Sequence, residues 1–219
     1  MSENQIKEIP DSFSNLIKLK ELNLSDNQIK KFPDSLSNFI DLQILSLYNN
    51  QIKEIKEIPD NFINLQELYF GKNQIKKNPD SFSNLFNLKI LYLSDNQIKE
   101  IPDSLSNLIN LQELDLNNNQ IKKIPDSLSD LINLQELDLS YNRIIKIPIS
   151  IINLRRLIKF NYHANEIENI NLIIQRFLDR INNNGYNIHN VYNDNQNVHA
   201  SSIQKSVKIS IINILSFIP

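Results

Sequence analysis

The sequence predicts an α/β solenoid: an arc of stacked coils with a parallel concave sheet, a convex side of short 3₁₀ or single-turn helical segments, and helices at the C-terminal end. Three observations predict it. Units beginning at Leu19, Leu42, Leu65, Leu88, Leu111, Leu134 and Leu157 follow one another at a constant 23 residues. Each opens on a short apolar–polar alternation such as LQELDL. One asparagine keeps the same phase throughout, at Asn4, Asn27, Asn50, Asn73, Asn96, Asn119, Asn142 and Asn165. A repeat of this length sustained in register marks supersecondary units that bury their apolar faces only by stacking on one another.

Each element follows from its residues. The LxLxx segment is a strand, because alternate side chains of extended backbone point to opposite faces; Leu22 and Leu24 then point inward and the residues between them outward. Successive strands pair in parallel, and their Leu, Ile and Phe side chains fill one continuous interior. The asparagine closes the strand where the backbone turns into the core. Its amide is able to pair with buried N–H and C=O groups of adjacent coils, so Asn27, Asn50, Asn73, Asn96, Asn119, Asn142 and Asn165 are expected to form a structural ladder. The phrase IPDSLSNL follows, with a proline that denies a helix its interior and an Asp or Ser able to cap a brief turn. One unit departs from the rest: QIKEIKEIPDNFIN duplicates IKE and lacks three residues after Asp60. The expected result is a shifted bulge on the convex side, with Ile55 or Ile58 competing for one core site.

The pattern LxxLxLxxNxI followed by IPxxLxxLxx resembles the leucine-rich repeat, in the 23-residue intracellular form with Ile-Pro on its far side. The likeness covers Met1 to about Ile170. It implies a non-catalytic protein-binding solenoid over residues 1–170.

At its N-terminal end Met1 falls at an inward position, in the middle of an expected strand and with no capping unit before it. An uncovered strand edge invites pairing with another chain, so either self-association there or descent from a longer repeat protein is expected. Beyond Asn165 the repeat fades. Leu172, Ile173, Phe177, Leu178 and Ile181 recur at helical spacing before Asn184 and Gly185, which predicts a capping helix over 171–185. Residues 186–219 read as a polar loop and then an amphipathic helix, with Ser201-Ser202-Ile203-Gln204 as its capping box and Ile203, Val207, Ile211, Ile214 and Leu215 on one side. The string YNDNQNVHASSIQKSVKISI, with the richness in Asn, Ile and Lys, is similar to segments in proteins of amoeba-infecting giant viruses.

Composition narrows the chemistry. With 41% hydrophobic residues the chain can build a core, and a net charge of −2 gives no electrostatic reason to expect nucleic acid. Cysteine is absent, which removes disulfides, thiolate zinc sites and Cys nucleophiles. No basic and apolar leader opens the chain and no run of about 18 apolar residues occurs, so neither a signal sequence nor a membrane partner is expected and the cytoplasm, the host's if the source is viral, is the default location. Glycine occurs twice, at Gly71 and Gly185, too rarely for a phosphate-binding loop. No cofactor is expected. His189 and His199 flank Asp194 at a spacing that matches no metal-ligand pattern. A lysine column at Lys7, Lys30, Lys53, Lys76, Lys99 and Lys122 lies beside Glu8, Glu54 and Glu100 and an aspartate column, which makes it a solvated charged rim.

The outward positions of the strands supply the candidate site. Ile44, Tyr48, Tyr69, Ile90 and Tyr92 are expected as an apolar and aromatic patch across neighbouring coils, with Glu113, Asp115, Glu136 and Asp138 as a solvated acidic patch beside it. Tyrosines with apolar neighbours have the composition of an interface anchor, and flanking charge steers a basic partner. The expected function is capture of a protein partner on this face; the alternative is a structural protein that self-associates through its N-terminal edge.

Overall fold

The computed structural model describes residues 5–9 and 18–183. Seven three-residue strands form one parallel sheet in chain order: β1 Glu21–Asn23, β2 Ile44–Ser46, β3 Glu67–Tyr69, β4 Ile90–Tyr92, β5 Glu113–Asp115, β6 Glu136–Asp138 and β7 Lys159–Asn161. Register is constant, so residues 23 apart face each other: Leu22 opposite Leu45, Leu68 opposite Leu91, Leu114 opposite Leu137. The middle residue of every strand is buried and its two neighbours are less so. β2 differs, because Ser46, at an outward position, is also buried and shares a hydrogen bond with the Ser25 hydroxyl at 2.7 Å.

The ladder asparagines knit consecutive coils. The Asn96 Oδ1 accepts the Ile75 N–H of the preceding coil at 2.9 Å, while its Nδ2 donates to Phe70 O of that coil at 3.0 Å and to Leu93 O of its own at 3.1 Å. Asn50, Asn73, Asn119, Asn142 and Asn165 repeat the arrangement. Asn27 accepts the Ile6 N–H at 3.0 Å, which ties the described residues of the first coil to β1. The residue before each ladder asparagine has positive φ: Asp26, Asn49, Lys72, Asp95, Asn118, Tyr141 and Ala164, all between 51° and 57°. The left-handed region costs a non-glycine residue strain. Here it aims an N–H along the stack, as from Asp95 to Asn117 O at 2.9 Å and from Tyr141 to His163 O at 3.0 Å.

Behind the sheet, 3₁₀ segments span Asp34–Asn38, Asp80–Asn84, Asp103–Asn107, Asp126–Asp130 and Ile149–Asn153, each entered from a proline. The Asp and Ser of these segments make no side-chain caps. They pair across coils instead: the hydroxyl of Ser150 donates to Asp126 at 2.7 Å, and those of Ser104 and Ser127 donate to Asp80 and Asp103. Short segments leave one coil's aspartate beside the next coil's serine, so contact along the stack prevails over capping. The irregular unit makes turns in place of a 3₁₀ segment. Ile55 and Ile58 do not compete, since both are buried. With the duplicated IKE, both isoleucines enter the interior ahead of the turn at Pro59.

Asn78 occupies the column of Ile55, Ile101 and Ile124. It is fully buried, and among the described residues neither its Oδ1 nor its Nδ2 has a hydrogen-bond partner.

The helix α1, Leu172–Asn183, packs against β7 and the last 3₁₀ segment. Its buried residues are Ile174, Phe177, Leu178 and Ile181, while Leu172 and Ile173 are exposed. The expected stripe was therefore wrong at its first turn, where Asn171 Oδ1 accepts the Ile173 N–H at 2.8 Å and sets the helical phase. The polar loop and second helix read over 186–219 lie outside the described residues, as do Met1, His189 and His199.

Candidate binding face

Strand pleat and constant register turn the outward side chains into rows that run along the stack. One row reads Glu21, Ile44, Glu67, Ile90, Glu113, Glu136, Lys159. The next reads Asn23, Ser46, Tyr69, Tyr92, Asp115, Asp138, Asn161. A third, just past the strands, runs Ser25, Tyr48, Gly71, Ser94, Asn117, Ser140, His163.

These rows place the aromatic residues differently from one another. Tyr69 and Tyr92 are neighbours in the middle row and meet edge to face, with centroids 5.2 Å apart. Both are half-buried. The hydroxyl of Tyr69 donates to Glu67 at 2.7 Å and that of Tyr92 to Glu113 at 2.6 Å. Burial first, and those carboxylates second, hold each phenol protonated well above the ordinary tyrosine range. Ile44 and Ile90 share a row, with Glu67 between them. Tyr48, in the third row, leans over Gly71. A Cβ added at Gly71 would sit 3.0 Å from the Tyr48 ring and 3.2 Å from Ser94 Oγ. The Lys72 ammonium lies 5.4 Å from the Tyr48 ring centroid, within cation–π range. Glycine at 71 thus makes room for the Tyr48 ring, and the signal for it in the sequence is that this row carries Gly once and larger residues elsewhere.

The acidic side chains converge at β5 and β6. Tyr92, Glu113, Asp115, Glu136, Asp138 and Lys159 line a shallow depression. Lys159 pairs with Glu136 at 3.1 Å. Asp138 accepts from the Ser140 amide at 2.9 Å, from the Ser140 hydroxyl, and from Asn161 Nδ2 at 2.7 Å. Asp115 accepts from the Asn117 amide at 2.9 Å. The sequence-based expectation of a solvated patch without burial holds only in part at Asp115, which is half-buried. Burial, reinforced by the neighbouring Asp138 carboxylate, pushes its carboxyl up to about 7 against hydrogen bonds from Asn117 and Ser94 that favour the charged form. Pairing at a 23-residue step brings two aspartates together, and a single unit's sequence does not show that. Among the described residues no group of three or more His, Asp or Glu side chains is arranged to hold a metal ion.

A stack of short parallel strands, backed by 3₁₀ turns and locked by an asparagine ladder, defines a repeat solenoid with a broad side-chain-studded sheet face. The chain belongs to the leucine-rich-repeat family: models of that repeat match residues 1–52, 63–121, 86–144 and 109–167, and a related one matches 41–65. No curated protein matches it. Among solved structures it is similar to a leucine-rich-repeat protein of Leptospira interrogans, with a TM-score of 0.74 and 31% identity over 80% of this chain and 44% of that one. An internalin from Listeria monocytogenes gives a TM-score of 0.69 and 28% identity over 78% of this chain and 48% of its own. The leucine-rich-repeat ectodomain of a plant membrane receptor kinase from Arabidopsis thaliana, in complex with a Casparian strip integrity factor, gives 0.68 and 32% over 77% and 21%. The chain spans less than half the length of each. Domains of this family are generally protein-interaction modules and its fold is typically a non-enzymatic scaffold. Among the described residues no helix is long and apolar enough to cross a membrane.

Proposed function

We propose that the chain is a non-catalytic binding module that seats a protein partner on its concave sheet face, with Tyr69 and Tyr92 as the anchor. The edge-to-face tyrosine pair carries this reading. The two rings stand on the outer side of the sheet, each held in place by a carboxylate on its hydroxyl, so they offer apolar area at little further cost in side-chain entropy. Ile44, Tyr48 and Ile90 supply flanking contacts. Glu113, Asp115, Glu136 and Asp138 favour a partner with a basic surface. The plant receptor ectodomain, solved with a bound factor, supports the reading by likeness of fold.

Two finer inferences accompany it. The constant 23-residue step, with proline leading into each 3₁₀ segment, fits the intracellular Ile-Pro type of repeat. The cysteine-free composition fits action in the cytoplasm, the host's cytoplasm where the likeness of the C-terminal string to giant-virus proteins marks the source.

Quantitative capture tests the proposal. Immobilised wild-type chain and a Tyr69→Ala, Tyr92→Ala double variant of matched far-UV circular dichroism are exposed to the same lysate, and retained proteins are compared. The double variant is expected to lose the proteins that the wild type retains. Undiminished capture by the folded variant would move the binding site off this face.

A further inference from the structure

A second surface stands apart from the sheet face. Just before each strand, where the convex turn comes round to the sheet, Ile40, Ile63, Phe86, Ile109 and Ile132 occupy one phase of the repeat and are 51–60% exposed. Their neighbours in the next phase are Asp41, Asn64, Asn87, Asn110 and Asn133, and one coil further on the two phases carry Arg155 and Arg156. The four asparagines form a second, external ladder: the Nδ2 of Asn64, Asn87, Asn110 and Asn133 donates to the carbonyl of Ile40, Ile63, Phe86 and Ile109 at 2.7–3.1 Å. Four of the five exposed apolar residues, Ile40, Ile63, Phe86 and Ile109, are therefore held by a backbone pinned to the following coil. The result is a straight apolar stripe beside a neutral amide stripe. Five contiguous exposed apolar residues are more than the scattered surface hydrophobes of an ordinary monomer.

We propose that this stripe is the contact surface for a second copy of the chain, packed antiparallel about a two-fold axis that crosses the stripe between Phe86 and Ile109. Pitch is one reason. The side chains recur once per coil, at about the 4.8 Å spacing of parallel strands, and a second solenoid of the same repeat matches that step along its whole length. Charge is the other. Along these two phases the charged residues stand at opposite ends, Asp41 at one and Arg155 and Arg156 at the other. The antiparallel arrangement brings each Asp41 opposite the other copy's Arg156, sets Phe86 against Ile109, and aligns Ile63 with Ile132. A parallel arrangement would place like charges together, which costs affinity. Lys18, one coil further out, lies beyond the overlap. In this register Ile40 meets the aliphatic stem of Arg155, and the four paired apolar side chains with their flanking amides fall short of the roughly 800 Å² per partner of a standard interface, so the dimer belongs to the weak class, with a dissociation constant on the order of micromolar. This contact differs from the β1 edge and is independent of what the sheet face binds.

Sedimentation velocity on the full chain from about 1 to about 200 µM tests the proposal. The wild type is expected to shift from monomer to dimer across this range. Phe86→Glu alone and Ile109→Lys alone, at positions more than half exposed, should keep the fold by circular dichroism and weaken dimerisation roughly tenfold or more. The double variant should dimerise again, because each Glu meets a Lys of the other copy. A wild type monomeric throughout, or a dimer that Phe86→Glu leaves intact, overturns the contact surface. A folded double variant that stays monomeric while both single variants weaken the dimer overturns the antiparallel register.

Discussion

At the scale of single residues, the amides that close each strand carry more than any other polar group. Asn96 holds four hydrogen bonds at 2.9–3.1 Å, to Ile75, Phe70, Leu93 and Ser94, in a site where it is almost wholly buried. Alanine there leaves a buried N–H and at least one carbonyl without a partner, which costs about 1–3 kcal/mol. Asn96→Ala is accordingly expected to lower the denaturation midpoint markedly, and a melting curve superimposable on wild type would remove the ladder's structural role. Asp115 makes the opposite kind of contribution. Its carboxyl lies at about 7 in the folded chain against 3.8 in an unperturbed aspartate, so folding favours the protonated form. That contribution is complete below the unfolded value and is lost as pH rises through about 7, amounting to about 4 kcal/mol at most for a shift of roughly three units. Asp115→Asn has no proton to lose. Its stability relative to wild type should rise between pH 4.5 and pH 8.5, and urea titrations at the two pH values showing a constant difference would disprove the burial of this carboxyl.

Elements in this molecule are short, and neighbouring coils decide what each one buries. Three-residue strands do not hold a register alone; theirs comes from the coil before and the coil after. α1 illustrates how one residue of phase matters. Ile174 faces the last coil and Ile173 faces away, so Ile174→Ala should destabilise by about 2–5 kcal/mol as a core truncation, whereas Ile173→Ala should stay within about 0.5 kcal/mol of wild type. Equal effects in thermal melts would mean that the helix sits in another rotation. The coil containing Asn78 holds the reverse opportunity. An amide without partners among the described residues occupies a column otherwise made of Phe32 and isoleucines, and Asn78→Ile should raise stability by about 1–3 kcal/mol by removing two unpaired polar atoms from the interior. A loss of stability on calorimetry would show that the site is shaped around the amide.

For the whole molecule, electrostatics act locally. With a net charge of −2 the overall field is weak, and beyond about 8–10 Å surface charges are screened at physiological salt. In the proposed binding mode, steering of a basic partner would fall to the cluster on β5 and β6. Glu136→Gln is expected to slow association and flatten its salt dependence while leaving dissociation nearly unchanged, because rim charges act mainly on encounter. Stopped-flow association with a captured partner would read this out, and an unchanged salt slope would place Glu136 outside the encounter surface.

The 23-residue phase by itself determined the solenoid, the parallel order of the strands and the inward leucine columns, for a physical reason: a constant step admits one stacking in which every Leu22-type side chain meets its neighbours, and any slip exposes all of them together. What the tertiary structure decided lies where periodicity is silent. A repeat shows that Ile40, Ile63 and Phe86 share a position, yet off the strands no two-residue alternation says whether that position faces in or out. Ser46 is buried from an outward position, Glu67 parts Ile44 from Ile90, and Tyr48 finds room over Gly71. Asp115 gains its raised carboxyl from burial, reinforced by an aspartate one coil away. These outcomes depend on which side chains the stacking brings within a few ångströms of one another, and residues 23 apart in the chain become neighbours only once the coils have closed.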